Sequence, residues 1–157
     1  MARSTLFRNI LVPHDFSPQA TAALRTAAQL AKHHGGRLTV LHLLVPFYLP
    51  ADVPFGMPLP GDLIPEHRRQ LEQLVRKTLG TDGAPVTVRV QINDASQGIL
   101  HASRGHDCIV MATSGRTGLA HFLIGSVAEK VVRHATVPVL TLRVPVRKRS
   151  PRRQKKK

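Results

Sequence analysis

The chain has 157 residues, 42% of them hydrophobic, a size and composition that suit one domain with a real core. A single cysteine, Cys108, excludes a disulfide within the chain and points to a reducing compartment, the cytoplasm by default; no stretch is apolar enough to span a bilayer. The formal charge of +14 is uneven, because Arg147 to Lys157 holds eight basic residues and no acid, which leaves +6 for the rest.

Asn9 to Val12 reads as a short buried strand that stops at Pro13-His14-Asp15. Ser17-Pro18 has the form of an N-cap followed by a first-turn proline. Ala20, Ala23, Leu24, Ala27, Ala28 and Ala31 then recur at helical spacing, and Gly35-Gly36 closes that helix. Leu38 to Leu44 is nearly all apolar, as a strand covered on both faces would be. Five prolines between Val45 and Gly61 forbid regular structure, so this segment is a loop, either a wall over the rim of a sheet or a cover for the core.

Asp62 to Leu79 has the apolar spacing of an amphipathic second helix, closed by Gly80. Val86 to Ile92 alternates as an edge strand does, and Asp94 is placed to cap a third helix that runs to Arg104 and ends at Gly105. Cys108 to Ala112 is a fourth strand. Val127, Ala128, Val131 and Val132 mark a fourth helix with Ser126 as its expected N-cap, and Val139 to Val144 is a fifth strand. Strict alternation of strand and helix predicts a three-layer α/β sandwich, Rossmann-like, with a five-stranded parallel sheet, and its expected order, as a doubly wound sheet, is 3-2-1-4-5. The folded domain is expected over residues 1–146, with 147–157 as a disordered basic tail.

The stretch Met111 to Val127 organises the rest. A buried strand runs into a glycine loop, and the loop leads to the N-terminus of a helix, where unpaired amides and the helix dipole favour an anion such as phosphate. The same glycines also suit an ordinary strand-loop-helix joint. In the predicted sheet order strands one and four are neighbours whose connections leave to opposite faces, so Pro13-His14-Asp15 and Ala112 to Ser126 flank one crevice. Asp15 is the carboxylate there. It serves either as a turn-stabilising side chain or as an acceptor for a sugar or base.

Ala112, Gly115, Gly125 and Ser126 fall on a pattern of glycine, two residues, glycine, nine residues, glycine, then serine or threonine, with alanine in the first place. With the VPHDF opening, the LHLL strand, the GSVAEKVVRHA helix and the VPVLTLR ending, the chain resembles the universal stress protein (UspA-like) family over Asn9 to Leu142. The resemblance implies an adenine nucleotide alpha hydrolase-like fold and an ATP site, with AMP and ADP as further candidates. It places Pro13, His14 and Asp15 at the adenosine end and Leu43 and Met111 against the base. Ala112, Gly115, Gly125, Ser126 and Val127 would approach ribose and phosphates, with Arg116 adding charge. Mg2+ or Mn2+ would come with the nucleotide, held by its phosphates.

Nothing resembles a Walker A lysine loop, so any ATPase activity is expected to be weak. The resemblance further implies a homodimer through Val139 to Val144 and a nucleotide-responsive role in stress survival. The alternative is a nucleotide-independent interaction protein on the same fold, whose basic tail binds nucleic acid or an anionic surface. A tail that only solubilises the chain is equally consistent with the composition.

Overall fold

A computed structural model describes residues 6–46, 60–81, 83–113 and 125–144. In chain order they form β1 (Asn9–Pro13), α1 (Pro18–His34), β2 (Arg37–Leu44), a 3-10 turn (Pro60–Leu63), α2 (Ile64–Leu79), β3 (Val86–Ile92), α3 (Ala95–Ser103), β4 (Cys108–Ala112), α4 (Ser126–His134) and β5 (Val139–Leu142). The five strands make one sheet in the order β3-β2-β1-β4-β5, every pairing parallel. This is the α/β architecture and strand order expected.

Strand alternation divides the core in two. Ile10, Val12, Leu38, Val40, Cys108 and Val110 face α1 and α2, while Leu11, Leu41, Ile109 and Met111 face α3 and α4. In β1 and β4 consecutive residues are buried because helices cover both faces. The alanines of α1 at 20, 23, 27 and 31 are all buried, and their small side chains let the helix lie close on the sheet. Ser17 Oγ accepts the Ala20 amide at 3.0 Å, Pro18 opens the helix, and Gly35 ends it at φ 64°. The next residue, Gly36, is held by proximity: a Cβ there would lie 2.2 Å from the Phe7 carbonyl oxygen.

One tie across the sheet has no local signature in the sequence. Asp107 Oδ2 accepts the amides of Arg8 (2.9 Å) and Asn9 (2.8 Å), fastening the start of β1 to the approach of β4. Several expected boundaries move. Helix α2 starts at Ile64 rather than Asp62, after a 3-10 turn that begins at Pro60, inside the segment expected to be irregular. The N-cap of α4 is Gly125, with Ser126 the first helical residue, because the chain is still extended at Gly125 (ψ 147°). Helix α3 ends at Ser103 with Arg104 as its C-cap, one residue short of the expected end, and β5 stops at Leu142 rather than Val144, where its pairing with β4 stops at Ala112. The proline-rich segment at 47–59 and the basic tail lie outside the described residues.

Candidate functional site

Strands β1 and β4 run side by side in register, Ile10 against Cys108 and Leu11 against Ile109. From their carboxyl ends the chain leaves to opposite faces, into α1 and toward α4, which makes the crevice of a topological switch point. Pro13 closes β1 at that rim, and Met111 (5% exposed) and Ala112 close β4.

The β4 side is closed by two short bonds. The Thr113 amide donates to the Leu142 carbonyl (3.0 Å), and the Gly125 amide donates to the Thr113 carbonyl (2.7 Å). Thr113 and Gly125 are therefore joined directly, and α4 starts beside the end of β4. Glycine is required at 125 by space, since a Cβ would stand 2.8 Å from the Thr113 oxygen, while its φ of −56° is open to any residue. Its own amide is engaged by Thr113. The amides left without an intrahelical acceptor at this end are those of Ser126, Val127 and Ala128. Val127 is half-buried and packs with Leu43 on the Met111 cluster. Gly115 and Arg116 lie outside the described residues.

The β1 side is a strained turn. Phe16 sits at φ 64°, a left-handed conformation costly for a bulky residue, and persists because its surroundings fix it. Its amide donates to His14 Nδ1 at 3.0 Å, and the next amide, of Ser17, donates to Asp15 Oδ1 at 3.0 Å. Asp15 thus performs the turn-stabilising role; this carboxylate is partly exposed at the rim.

His14 is 3% exposed and engaged at every polar atom. Its amide donates to the Leu41 carbonyl (2.8 Å), and its carbonyl accepts from His42 Nδ1 (2.8 Å). With Nδ1 accepting from Phe16, the ring proton is on Nε2, facing Thr21 Oγ1 at 3.3 Å, and Thr21 passes its own proton to the Ser17 carbonyl (3.0 Å). Burial lowers the His14 pKa from 6.5 to about 4, against the pull of Asp15 and with a smaller push from His42. His42 Nε2 continues the chain to His67 Nδ1 on α2 at 3.1 Å. The two rings stack at 5.1 Å with the Phe16 ring edge-on to both. Phe16, His42 and His67 escaped the sequence reading, since partners 25 and 28 residues apart leave no local pattern.

Chemically, this rim of the sheet has the helix-terminal amides of α4 on one side and the Asp15 carboxylate on the other, with Leu43 and Val127 packed on the Met111 cluster; unpaired helix-terminal amides favour an anion. Among the described residues no group of three or more His, Cys, Asp or Glu side chains is placed to hold a metal ion, and no helix is long and apolar enough to cross a membrane. A depression of about 510 Å³ at the opposite end of the sheet is lined by Lys32, Arg37, three glycines and Pro85 among others.

The universal stress protein family profile matches residues 6–143. A curated universal stress protein of Thermus aquaticus is 31% identical over 143 residues, covering 88% of this chain and 100% of the relative. The structure of the universal stress protein UspA from Lactobacillus plantarum superposes with a TM-score of 0.71 at 25% identity, over 89% of this chain and 100% of that one. The same fold recurs, at a TM-score of 0.60 and 23% identity over 87% of this chain and 98% of the other, in the universal stress protein from Archaeoglobus fulgidus in complex with dAMP. A family match over nearly the whole described length, on the sheet order and switch-point crevice above, makes this chain a member of the universal stress protein family.

Proposed function

We propose that this universal stress protein binds an adenine nucleotide, ATP foremost, in the crevice between the ends of β1 and β4, and works in the cytoplasm as a nucleotide-responsive stress regulator with at most weak ATPase activity. The observation that carries the reading is the Gly125–Thr113 bond, 2.7 Å, which sets the α4 N-terminus beside the end of β4. Phosphate oxygens would take the amides of Ser126 to Ala128 and the Ser126 hydroxyl, with Ala112, Gly115 and Arg116 along the same approach. The adenosine end would lie over Pro13 and Asp15, with Leu43, Met111 and Val127 as apolar neighbours, and His14 would act from beneath by fixing the turn. Mg2+ or Mn2+ would bind through the phosphates. The dAMP complex of the Archaeoglobus relative supports an adenine ligand on this fold.

Calorimetric titration of the nucleotide-stripped protein with ATP and magnesium tests this, on the full chain and on a version ending at Pro145. Saturable binding that survives the truncation and is lost in Gly125→Val or Asp15→Ala is the expected result. ATP affinity unchanged in Gly125→Val refutes the phosphate placement, and binding that disappears with the tail refutes the crevice.

The eight basic residues of the tail favour a second reading, in which polyanion binding is independent of nucleotide. That reading requires affinity for DNA, RNA or anionic vesicles that falls steeply with salt and vanishes on deletion of 147–157. Self-association through β5 accompanies either reading. Among the described residues β5 has β4 as its sole strand neighbour, and Leu140 is 38% exposed.

A further inference from the structure

Helix α3 carries a buried glycine, Gly98, in its middle, although glycine is the weakest helix former after proline. Its place has a steric cause. A Cβ at 98 would lie 2.7 and 2.8 Å from the two methyl carbons of Leu43 and 3.1 Å from Asn93 Cβ. Neither backbone is free to retreat: the Asn93 amide bonds the Leu44 carbonyl (3.1 Å), and the Gly98 amide bonds the carbonyl of the capping residue Asp94 (2.8 Å). Asp94 is itself fixed by the amides of Ser96 and Gln97 and by the Ser96 hydroxyl. The party able to yield is the Leu43 side chain.

Leu43 stands where yielding matters. Pro13, the last residue of β1, is level with Leu41, so Leu43 rises two residues, roughly 7 Å, beyond the end of that strand. It is half-buried and packs on the Met111 cluster, to which α3 contributes Ile99 and Ala102, with its two methyl carbons against Gly98. Counting on from Leu11 opposite Ile109, Pro13 is level with Met111. Leu43 is thus a wall of the crevice whose floor is Pro13 and Met111.

We infer that Gly98 is a positioning residue for the nucleotide base: its missing Cβ gives the Leu43 methyls a recess in α3 and so keeps the crevice wide enough for a flat purine. The inference rests on the nucleotide reading above and deepens it by assigning base selection to a residue that touches no ligand. In Gly98→Ala the methyls are turned out of α3 toward the crevice, and the ligand loses space at the base while the phosphate end is untouched.

The test compares wild type, Gly98→Ala, Leu43→Val and the double variant in calorimetric titrations with ATP, adenosine and inorganic tripolyphosphate, alongside thermal melts. Gly98→Ala is expected to weaken ATP and adenosine about tenfold, the scale of a methyl-sized misfit in a pocket, with tripolyphosphate affinity unchanged and melting temperature unchanged or raised. Leu43→Val, which has no Cδ atoms, should restore the double variant to within about threefold of the Leu43→Val protein. Equal ATP affinity in wild type and Gly98→Ala overturns the inference alone. So does a loss shared by tripolyphosphate, or a loss that Leu43→Val does not relieve, since either means that α3 as a whole has moved. A wild type that binds neither ATP nor adenosine overturns the nucleotide reading itself and this inference with it.

Discussion

Acid titration isolates one buried ring, His14. In the folded protein its Nδ1 must accept the Phe16 amide at 3.0 Å, so a second ring proton would set two N–H groups against each other in a site 3% exposed. Burial of the ring, first of all, holds the folded pKa at about 4, against 6.5 for an ordinary histidine. The sign follows: as pH falls below 6.5 the unfolded chain takes up a proton that the folded chain refuses, so stability is fully present above that value and drains away toward pH 4. At 1.36 kcal/mol per pKa unit the loss is about 3 kcal/mol, a large share of the roughly 5–15 kcal/mol that holds a domain folded.

Urea melts at intervals from pH 7.5 to 4, on wild type and on His14→Asn, measure it. Asn Oδ1 replaces Nδ1 as acceptor for Phe16 and does not titrate. The variant starts less stable, because the contact with Thr21 is lost, but its curve against pH is expected to be flatter by about 3 kcal/mol over this window. Carboxylates and the remaining histidines cancel in the difference. Parallel curves for the two proteins would refute the reasoning, since they would mean that His14 is protonated in the folded state as readily as in the unfolded one.

Three further outcomes follow from the packing. Gly36→Ala drives a methyl into the Phe7 carbonyl, 2.2 Å from the ideal Cβ position, and should cost about 3 kcal/mol in the same urea assay. The Cys108 thiol, raised to about 11 first by burial and then by neighbouring Asp107, should resist iodoacetamide at pH 8 in the native protein and react on unfolding, read by mass spectrometry. Leu140→Lys places a charge on the exposed side of β5 and should shift the sedimentation equilibrium to monomer if β5 joins two copies; a monomeric wild type removes that proposal.

What the sequence made legible was whatever repeats locally. Ser17-Pro18 and Asp94 act at one turn's distance, so both caps could be read directly, as could the parallel α/β sheet from the alternation of strands and helices. Ser126 misled because a serine before a helical run suits two adjacent positions, and only the extended backbone at Gly125 decides between them. At the crevice, Pro13, Asp15, Met111, Ala112, Gly125 and Val127 do gather at one end of the sheet. The packing beneath them was not legible. Phe16 in a left-handed turn, the His14–His42–His67 chain and the recess at Gly98 depend on side chains from separate elements meeting, which no periodicity records.

The Asp107 clasp also bears on how the chain is made. β1 is the middle strand of the sheet, yet its second neighbour and the carboxylate that fastens its first amides come from 98 residues later. At roughly 5–20 residues per second of synthesis, β1 waits on the order of 5–20 s at the ribosome with one edge open. For that interval the nascent chain carries an open edge on a fully apolar strand, Ile10-Leu11-Val12, a mispairing hazard that ends only when β4 emerges.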